Sequence, residues 1–338
     1  MTGFAGIRPG VVGCFFMDHI TVLVLADPAA PALRKLNAIG SGVNLKVGKT
    51  ADALGDTVAD ARVLFNWTGS KPDVRLVMER APKLEWIHAM YAGLDRSLFP
   101  ELIESPIPLT NGSGVFSQSL GEFVILGILY FAKDVPRRMQ AKAEHRWDVF
   151  DNVEIRKQTV GIVAHGDIGR AVASRAKALG MRVLALRRDP SPRAGDEHVD
   201  RVYASADLHA MLPECDYVAV TAPLTRETTG LIGKREFDLM KPSAVILNVG
   251  RGPVIQESAM IEALKTKQIR GAALDVFDVE PLPSDSPFWS LDNVLLTAHC
   301  ADHVEGWVES AVAFFLEQFA RWRNGEPLRN VVDKRAGY

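Results

Sequence analysis

Cysteine is scarce in this sequence, with three among 338 residues: Cys14, Cys215 and Cys300. The number is odd, the spacing is wide, and no C-x-x-C pair occurs, which argues against a disulfide framework and against a cysteine-built zinc site. No metal is therefore expected, and a reducing, cytoplasmic setting fits. Long apolar runs are also missing, and nothing approaches the ~20 residues needed to span a bilayer. Charge of one sign is not in excess, since 39 Lys and Arg face 41 Asp and Glu. A net charge of -2 gives no sign of nucleic acid or an anionic membrane as partner. Internal repeats and low-complexity tracts are absent too. Residues 1–17 carry one basic residue, Arg8, and no clear small-residue cleavage site, so they read as an N-terminal extension rather than a signal peptide.

What is present is ordinary globular material, 47% hydrophobic and 24% charged. At about 100–200 residues per domain, the length predicts two domains. From Asp18 onward, apolar β-type runs alternate with helical patterns. Strands are expected at 20–26, 61–66 and 84–88, with helices at 31–39 and 74–80 between them. A long apolar helix is expected at 115–133, ended or kinked by Pro136. A second alternation follows, with strands at 159–164, 182–187, 216–220, 243–248, 270–275 and 293–297. Helices at 168–179 and 256–266 lie between these strands, and a last helix is expected at 304–323. Such alternation predicts α/β architecture with two doubly wound parallel-sheet domains, one a Rossmann dinucleotide-binding domain, and a cleft between them. The expected division is 18–115 with 303–338 for a discontinuous substrate domain, and 121–300 for the dinucleotide domain. Residues 141–156 lack periodicity and read as a connection or an oligomer arm.

The dinucleotide signature is Thr159-Val160-Gly161-Ile162-Val163-Ala164-His165-Gly166-Asp167-Ile168-Gly169. It approximates G-x-G-x-x-G with Ala164 in place of the first glycine. Gly166 would let the backbone approach the pyrophosphate, and Gly169 would let helix and strand pack. His165, Asp167 and Ile168 complete the expected cofactor loop at a helix N-terminus, which attracts phosphate. About twenty residues later, Arg187 and Arg188 stand where an NAD enzyme places a carboxylate for the ribose 2′-hydroxyl. Guanidinium groups at that point favour a 2′-phosphate. NADP(H) is therefore the expected cofactor, with NAD(H) as the alternative.

Three further segments sit at strand ends: Asn248-Val249-Gly250-Arg251-Gly252, Asp275 to Pro281, and Thr297-Ala298-His299. Together they offer one Arg, one Glu280 and one His to a single crevice. At these motifs the sequence resembles the D-isomer-specific 2-hydroxyacid dehydrogenase family, from about Asp18 to the end and in motif order. The family's N-x-x-R-G is met by 248–252, its D-V-F-x-x-E-P by 275–281, and its T-P-H by T-A-H. Ala92-Gly93-Leu94-Asp95 resembles the family's substrate loop.

The resemblance implies roles. Arg251 would pair with the substrate carboxylate and polarise the keto oxygen. His299 would exchange a proton with that oxygen, and Glu280 would hold the imidazole and offset its charge. Backbone groups at Ala92 and Gly93 would bind carboxylate, Asp275 would hold the nicotinamide carboxamide, and Trp67 would line the cleft or serve as a core aromatic. Within the family the pattern is similar to the glyoxylate/hydroxypyruvate reductases. An NADPH-preferring reductase of small 2-keto acids is thus expected, acting as a homodimer. The alternatives are an NAD-dependent dehydrogenase of another 2-hydroxy acid, such as phosphoglycerate, and a dinucleotide-sensing, corepressor-like scaffold. A regulatory domain would need chain beyond the last helix, and a corepressor a long tail beyond Asn330. Neither is expected here.

Overall fold

Apolar strands separated by helices build two parallel sheets in the computed structural model, which describes residues 19–95, 97–194 and 196–338. The expected extension 1–17, Cys14 within it, and Asp18 lie outside the described residues. The first sheet holds β1 (Ile20–Leu25), β2 (Val43–Gly48), β3 (Ala61–Asn66), β4 (Trp86–Ala89) and β5 (Leu109–Asn111), in the order β2-β1-β3-β4-β5. This is one of the two common doubly wound orders. Its helices are α1 (Lys71–Arg80) and the single turn α2 (Pro100–Glu104), while 31–39 and 52–60 coil as tighter 3₁₀ turns. Ser70 starts α1 by accepting the Asp73 N–H on its hydroxyl.

The chain then runs through α3 (Ser117–Ala132) and α4 (Val135–Ala143). Pro136 was expected to stop or kink the long helix. The stop falls earlier, at Asp134 with φ 46°, and Pro136 instead occupies the first turn of α4. Its missing N–H costs nothing at that position. Helix α4 also takes up the start of the segment read as unpatterned. Beyond it, Trp147 stands 94% exposed.

The second sheet is built from β6 (Thr159–Val163), β7 (Arg182–Arg187), β8 (Arg201–Ala204), β9 (Tyr217–Val220), β10 (Val245–Asn248), β11 (Gly271–Leu274) and β12 (Val294–Leu296). Its order is β12-β11-β10-β9-β6-β7-β8, all parallel. The helices are α5 (Asp167–Ala178), the short α6 (Leu208–Met211) and α7 (Lys234–Leu239), and α8 (Glu257–Lys265). Strands β6, β9, β10 and β11 are buried along their whole length, as helix-covered parallel strands must be. The chain reverses direction across the sheet at β6, which pairs with β7 on one side and β9 on the other. That reversal opens the crevice in which ligands of such sheets bind.

Strands β2, β5 and β8 were not expected. β2 alternates half-buried and exposed residues at a sheet edge, β5 has three residues, and β8 begins with two residues that are not buried. None carries the continuous apolar run that marks a central strand.

The last helix, α9 (Trp307–Arg323), packs against 31–39. Phe315 of α9 stacks on Phe65 with centroids 4.1 Å apart, and on Trp86 at 5.5 Å. Val332 then donates its N–H to Leu109 at 2.8 Å, so the chain's end joins the first sheet at β5. His88 lies in the same aromatic stack, where burial drives its pKa down to about 3. It is a neutral packing residue, not an acid–base group. No described helix is long and apolar enough to cross a membrane.

Candidate active site

Because β10, β11 and β12 are parallel neighbours, the residues that follow them line up along one edge of the sheet. Asn248 ends β10, Asp275 follows β11, and Thr297 follows β12. The turn after β12 is shaped by Asp275. Its Oδ1 accepts from the Thr297 hydroxyl at 2.7 Å and from the Cys300 N–H at 3.0 Å, and its carbonyl accepts from the His299 N–H at 2.8 Å. The Ala301 N–H adds contacts to both carboxylate oxygens at 3.2 Å. Asp275 was expected to hold the nicotinamide. The residue is 1% exposed, and its carboxylate also anchors the histidine turn.

His299 itself sits at φ 48°, a left-handed conformation that is uncommon without glycine. This places Nδ1 2.8 Å from Glu280 Oε2. Glu280 Oε1 in turn accepts the Phe277 N–H at 3.0 Å, which fixes the carboxylate. With Nδ1 occupied, Nε2 is the ring nitrogen left to exchange a proton with a ligand. Asp302, three residues on, has its carboxyl pushed above the usual range by burial. Its Oδ1 makes no hydrogen bond, and His303 Nε2 lies 3.6 Å away.

Arg251 crosses from the end of β10 to the first sheet's loops. Its Nε donates to Asp95 Oδ1 at 3.0 Å and its Nη1 to the Gly250 carbonyl at 2.8 Å. Asn248 braces the turn by accepting the Gly250 N–H and donating to the Arg251 carbonyl, both at 3.1 Å. Gly252 is required here, because a Cβ would fall 2.0 Å from the Phe277 carbonyl carbon. Gly93 is required by the guanidinium, since a Cβ there would fall 1.6 Å from Arg251 Nη2. The backbone N–H groups of Ala92 and Gly93 make no hydrogen bond among the described residues. Asn111 holds that loop through the Ala92 carbonyl at 2.7 Å. The Asp95–Arg251 contact and the role of Asn111 escaped the sequence reading, because the partners lie 156 and 19 residues away.

The expected cofactor loop lies at the reversal point. Ala164 takes φ +73°, the conformation for which the first glycine of the motif is used, at a cost of roughly 1–2 kcal/mol for its Cβ. The Thr221 hydroxyl at the end of β9 ties its carbonyl down at 2.7 Å. Gly166 caps α5, and a Cβ built there meets nothing within 4 Å, so the helix start is open to a ligand. Gly169 packs on the Ala164 carbonyl and Ile162. Ile168 and the rest of the first turn have no carbonyl ahead of them in the helix and offer N–H groups to a phosphate. The cradle fits a dinucleotide pyrophosphate.

Two members of this loop turn their side chains to neighbours in the protein. The His165 ring is 1% exposed, with neither nitrogen hydrogen-bonded, and burial lowers its pKa to about 4. It is an uncharged ring beneath the loop. The Asp167 carboxylate pairs with Arg170 and accepts the Ser113 hydroxyl at 2.9 Å, which links α5 to the first domain's loops.

Comparison with known proteins agrees with this geometry. A sequence profile of the D-isomer specific 2-hydroxyacid dehydrogenase NAD binding domain matches residues 125–301. The glyoxylate reductase of Thermococcus litoralis is 32% identical over 91% of this chain and 89% of its own. The chain belongs to this family. The D-3-phosphoglycerate dehydrogenase of Methanocaldococcus jannaschii is 33% identical over 92% of the chain, and the chain spans 59% of that relative's length. Among solved structures, an NADPH-dependent glyoxylate/hydroxypyruvate reductase from Sinorhizobium meliloti, bound to NADP and sulfate, superposes with a TM-score of 0.81. It has 27% identity and covers 94% of this chain and 100% of its own. A family member from Xanthobacter autotrophicus Py2, bound to NADPH and MES, gives 0.80 at 29% identity, with 95% and 100% covered.

The arginine pair after β7 divides. Arg187 is 5% exposed, and its donors are spent. Nη1 and Nη2 grip Asp196 at 2.5 and 2.7 Å, Nε reaches the Asp189 carbonyl at 2.7 Å, and Nη2 the Ser191 carbonyl at 2.5 Å. That grip holds the Asp196 carboxyl down at about 2. Arg187 therefore builds the loop, whereas Arg188 is exposed. Asp189 turns into its own loop to accept the Ser191 N–H at 2.9 Å. Arg193, not singled out by sequence, fastens the loop to the His165 carbonyl at 2.8 Å.

Trp67 follows β3, edge-on to Phe65 at 5.7 Å. Its indole N–H is buried and unpaired, whereas a buried indole normally finds a partner. A substrate oxygen would supply one. Trp67→Phe, which keeps the ring, should then raise KM for the keto acid about tenfold, given ~1.5 kcal/mol for a hydrogen bond to a charged group. An unchanged KM would leave Trp67 as a packing aromatic.

Proposed function

We propose that this dehydrogenase is an NADPH-preferring reductase of small 2-keto acids, of the glyoxylate or hydroxypyruvate type. The observation that carries the chemistry is the His299–Glu280 pair on the same sheet edge as Arg251. A nicotinamide held at the loop of Gly166 and Gly169 would supply the hydride for the keto carbon. Arg251 and the Gly93 loop bind the carboxylate, and the guanidinium draws charge toward the keto oxygen. His299 Nε2 delivers the proton that completes the hydroxyl, while Glu280 balances the imidazolium before that transfer. In oxidation the same nitrogen takes the proton back. Turnover of keto acids separates this reading from a scaffold that only senses dinucleotide.

Arg188 supports the cofactor half of the proposal. It is the exposed cation at the point where a carboxylate would otherwise meet the ribose. Arg188→Ala should lower the ratio of kcat/KM for NADPH over NADH about tenfold, the lower end for a charge-assisted bond because the site is solvated. Arg187 is unsuitable for this test, since its loss would unmake the loop around Asp196. An unchanged ratio would remove the NADPH reading and leave the acid–base reading intact. A steady-state panel of glyoxylate, hydroxypyruvate, pyruvate and 3-phosphohydroxypyruvate decides the substrate. Preference for the phosphorylated acid would favour the phosphoglycerate dehydrogenase alternative.

A further inference from the structure

Arg188 has a partner from the other domain. Its guanidinium lies over the Tyr338 ring, 4.8 Å from the centroid. Tyr338 is delivered there by a segment fastened to the first domain. Val332 bonds to Leu109, Lys334 Nζ donates to the Ile107 carbonyl at 3.0 Å, and Arg335 pairs with Glu104 at 2.8 Å. Asp333 closes the segment into a turn. Its N–H reaches the Tyr338 carbonyl at 3.0 Å, and its carboxylate accepts from the Arg335 and Ala336 N–H groups at 3.0 and 2.9 Å. The aromatic ring thus has a defined position on one side of the cleft, and the cation meets it from the loop after β7.

We propose that Tyr338 is a positioning residue for cofactor choice, clamping Arg188 across the cleft so that its N–H edge is held ready for the 2′-phosphate of NADPH. The inference rests on Arg188 being the 2′-phosphate ligand. A guanidinium offers two independent surfaces: its flat face binds an aromatic ring, and its edge binds an anion bidentately. The face is taken by Tyr338, and the N–H groups of Arg188 make no hydrogen bond among the described residues, so the edge is free for phosphate. An exposed arginine otherwise loses rotamer freedom when it grips a ligand, and a ring already stacked on it removes part of that cost. Glu227, on the loop after β9, is a carboxylate within electrostatic reach of Arg188. The same contact joins the two domains at the adenosine end of the cleft, opposite the catalytic end joined by Arg251 and Asp95.

The test uses the full chain with Tyr338→Ala, Tyr338→Phe and Arg188→Ala. Calorimetric Kd values are measured for adenosine 2′,5′-bisphosphate and for adenosine 5′-monophosphate, alongside the NADPH to NADH ratio of kcat/KM. Tyr338→Ala should weaken the bisphosphate about two- to fivefold, the worth of an exposed cation–π contact, and lower the ratio by a similar factor. Tyr338→Phe should restore both, since the ring and not the hydroxyl faces the cation. Bisphosphate binding unchanged or tightened in Tyr338→Ala, with Arg188→Ala still weakened, overturns the clamp and leaves Arg188 as the ligand. Arg188→Ala without effect overturns the cofactor reading and the clamp with it.

Discussion

His299→Ala should lower kcat/KM for keto-acid reduction by about 10²–10⁴-fold, the usual worth of a positioned acid–base group. The loss should fall mainly on kcat, because the ring exchanges its proton in the transition state and contributes less to holding the ground state. Stability should change little. The side chain is 37% exposed, and Glu280 keeps the Phe277 N–H when the imidazole is gone. Glu280→Gln is the finer probe. An amide can still hydrogen-bond Nδ1, so ring orientation survives while the charge that balances the imidazolium is lost. A charge-assisted bond is roughly twice as strong as a neutral one, so the expected loss is smaller, on the order of tenfold. Steady-state kinetics and thermal unfolding of both variants check this. A folded His299→Ala variant with near-wild-type kcat/KM would sink the mechanism.

The parts of this protein that sequence makes legible are those written in local pattern. β6, β9, β10 and β11 are continuous apolar runs because both faces are covered, and such runs stand out in any chain. The strand-end motifs carry Arg251, Glu280 and His299 together because parallel neighbours end on the same side. What escaped was either short or non-local. β2 and β8 are edge strands with half-exposed faces, and Pro136 was misread because a proline stops one helix and starts another by the same geometry. The arginine pair is the instructive case. By type, Arg187 and Arg188 are equal, and only the fold shows that Asp196, nine residues on, consumes one of them. The burial of His165 and the anchoring of the turn after β12 by Asp275 are likewise visible only in the fold. Asp95 and Tyr338 meet their partners across the cleft, a relation that spacing along the chain does not carry.

Arg251→Ala should cost on the order of 10²–10³ in kcat/KM, and Gly93→Ala should resemble it while keeping the arginine in the sequence. The guanidinium is already fixed on one side, with Nε on Asp95 and Nη1 on the Gly250 carbonyl. Nη2 lies against Gly93 and is the donor left for the substrate carboxylate. One or two charge-assisted bonds at ~1.5–3 kcal/mol each, not fully additive, give the stated loss. Arg251→Lys should recover little, since an ammonium cannot hold Asp95 with one edge and bind a carboxylate with another. Asp95→Asn tests the anchor separately. It keeps the shape, weakens the pair to a neutral acceptor, and should raise KM about tenfold with a smaller change in kcat. The Gly93→Ala variant decides between two accounts. If Arg251 only supports the loop, a methyl at Gly93 is absorbed by small shifts and activity stays. If Arg251 binds the substrate, the Cβ placed 1.6 Å from Nη2 must displace it, and keto-acid reduction falls with the cofactor's own binding intact. Wild-type kcat/KM in Gly93→Ala, together with less than a tenfold loss in Arg251→Ala, would move the carboxylate site away from this arginine.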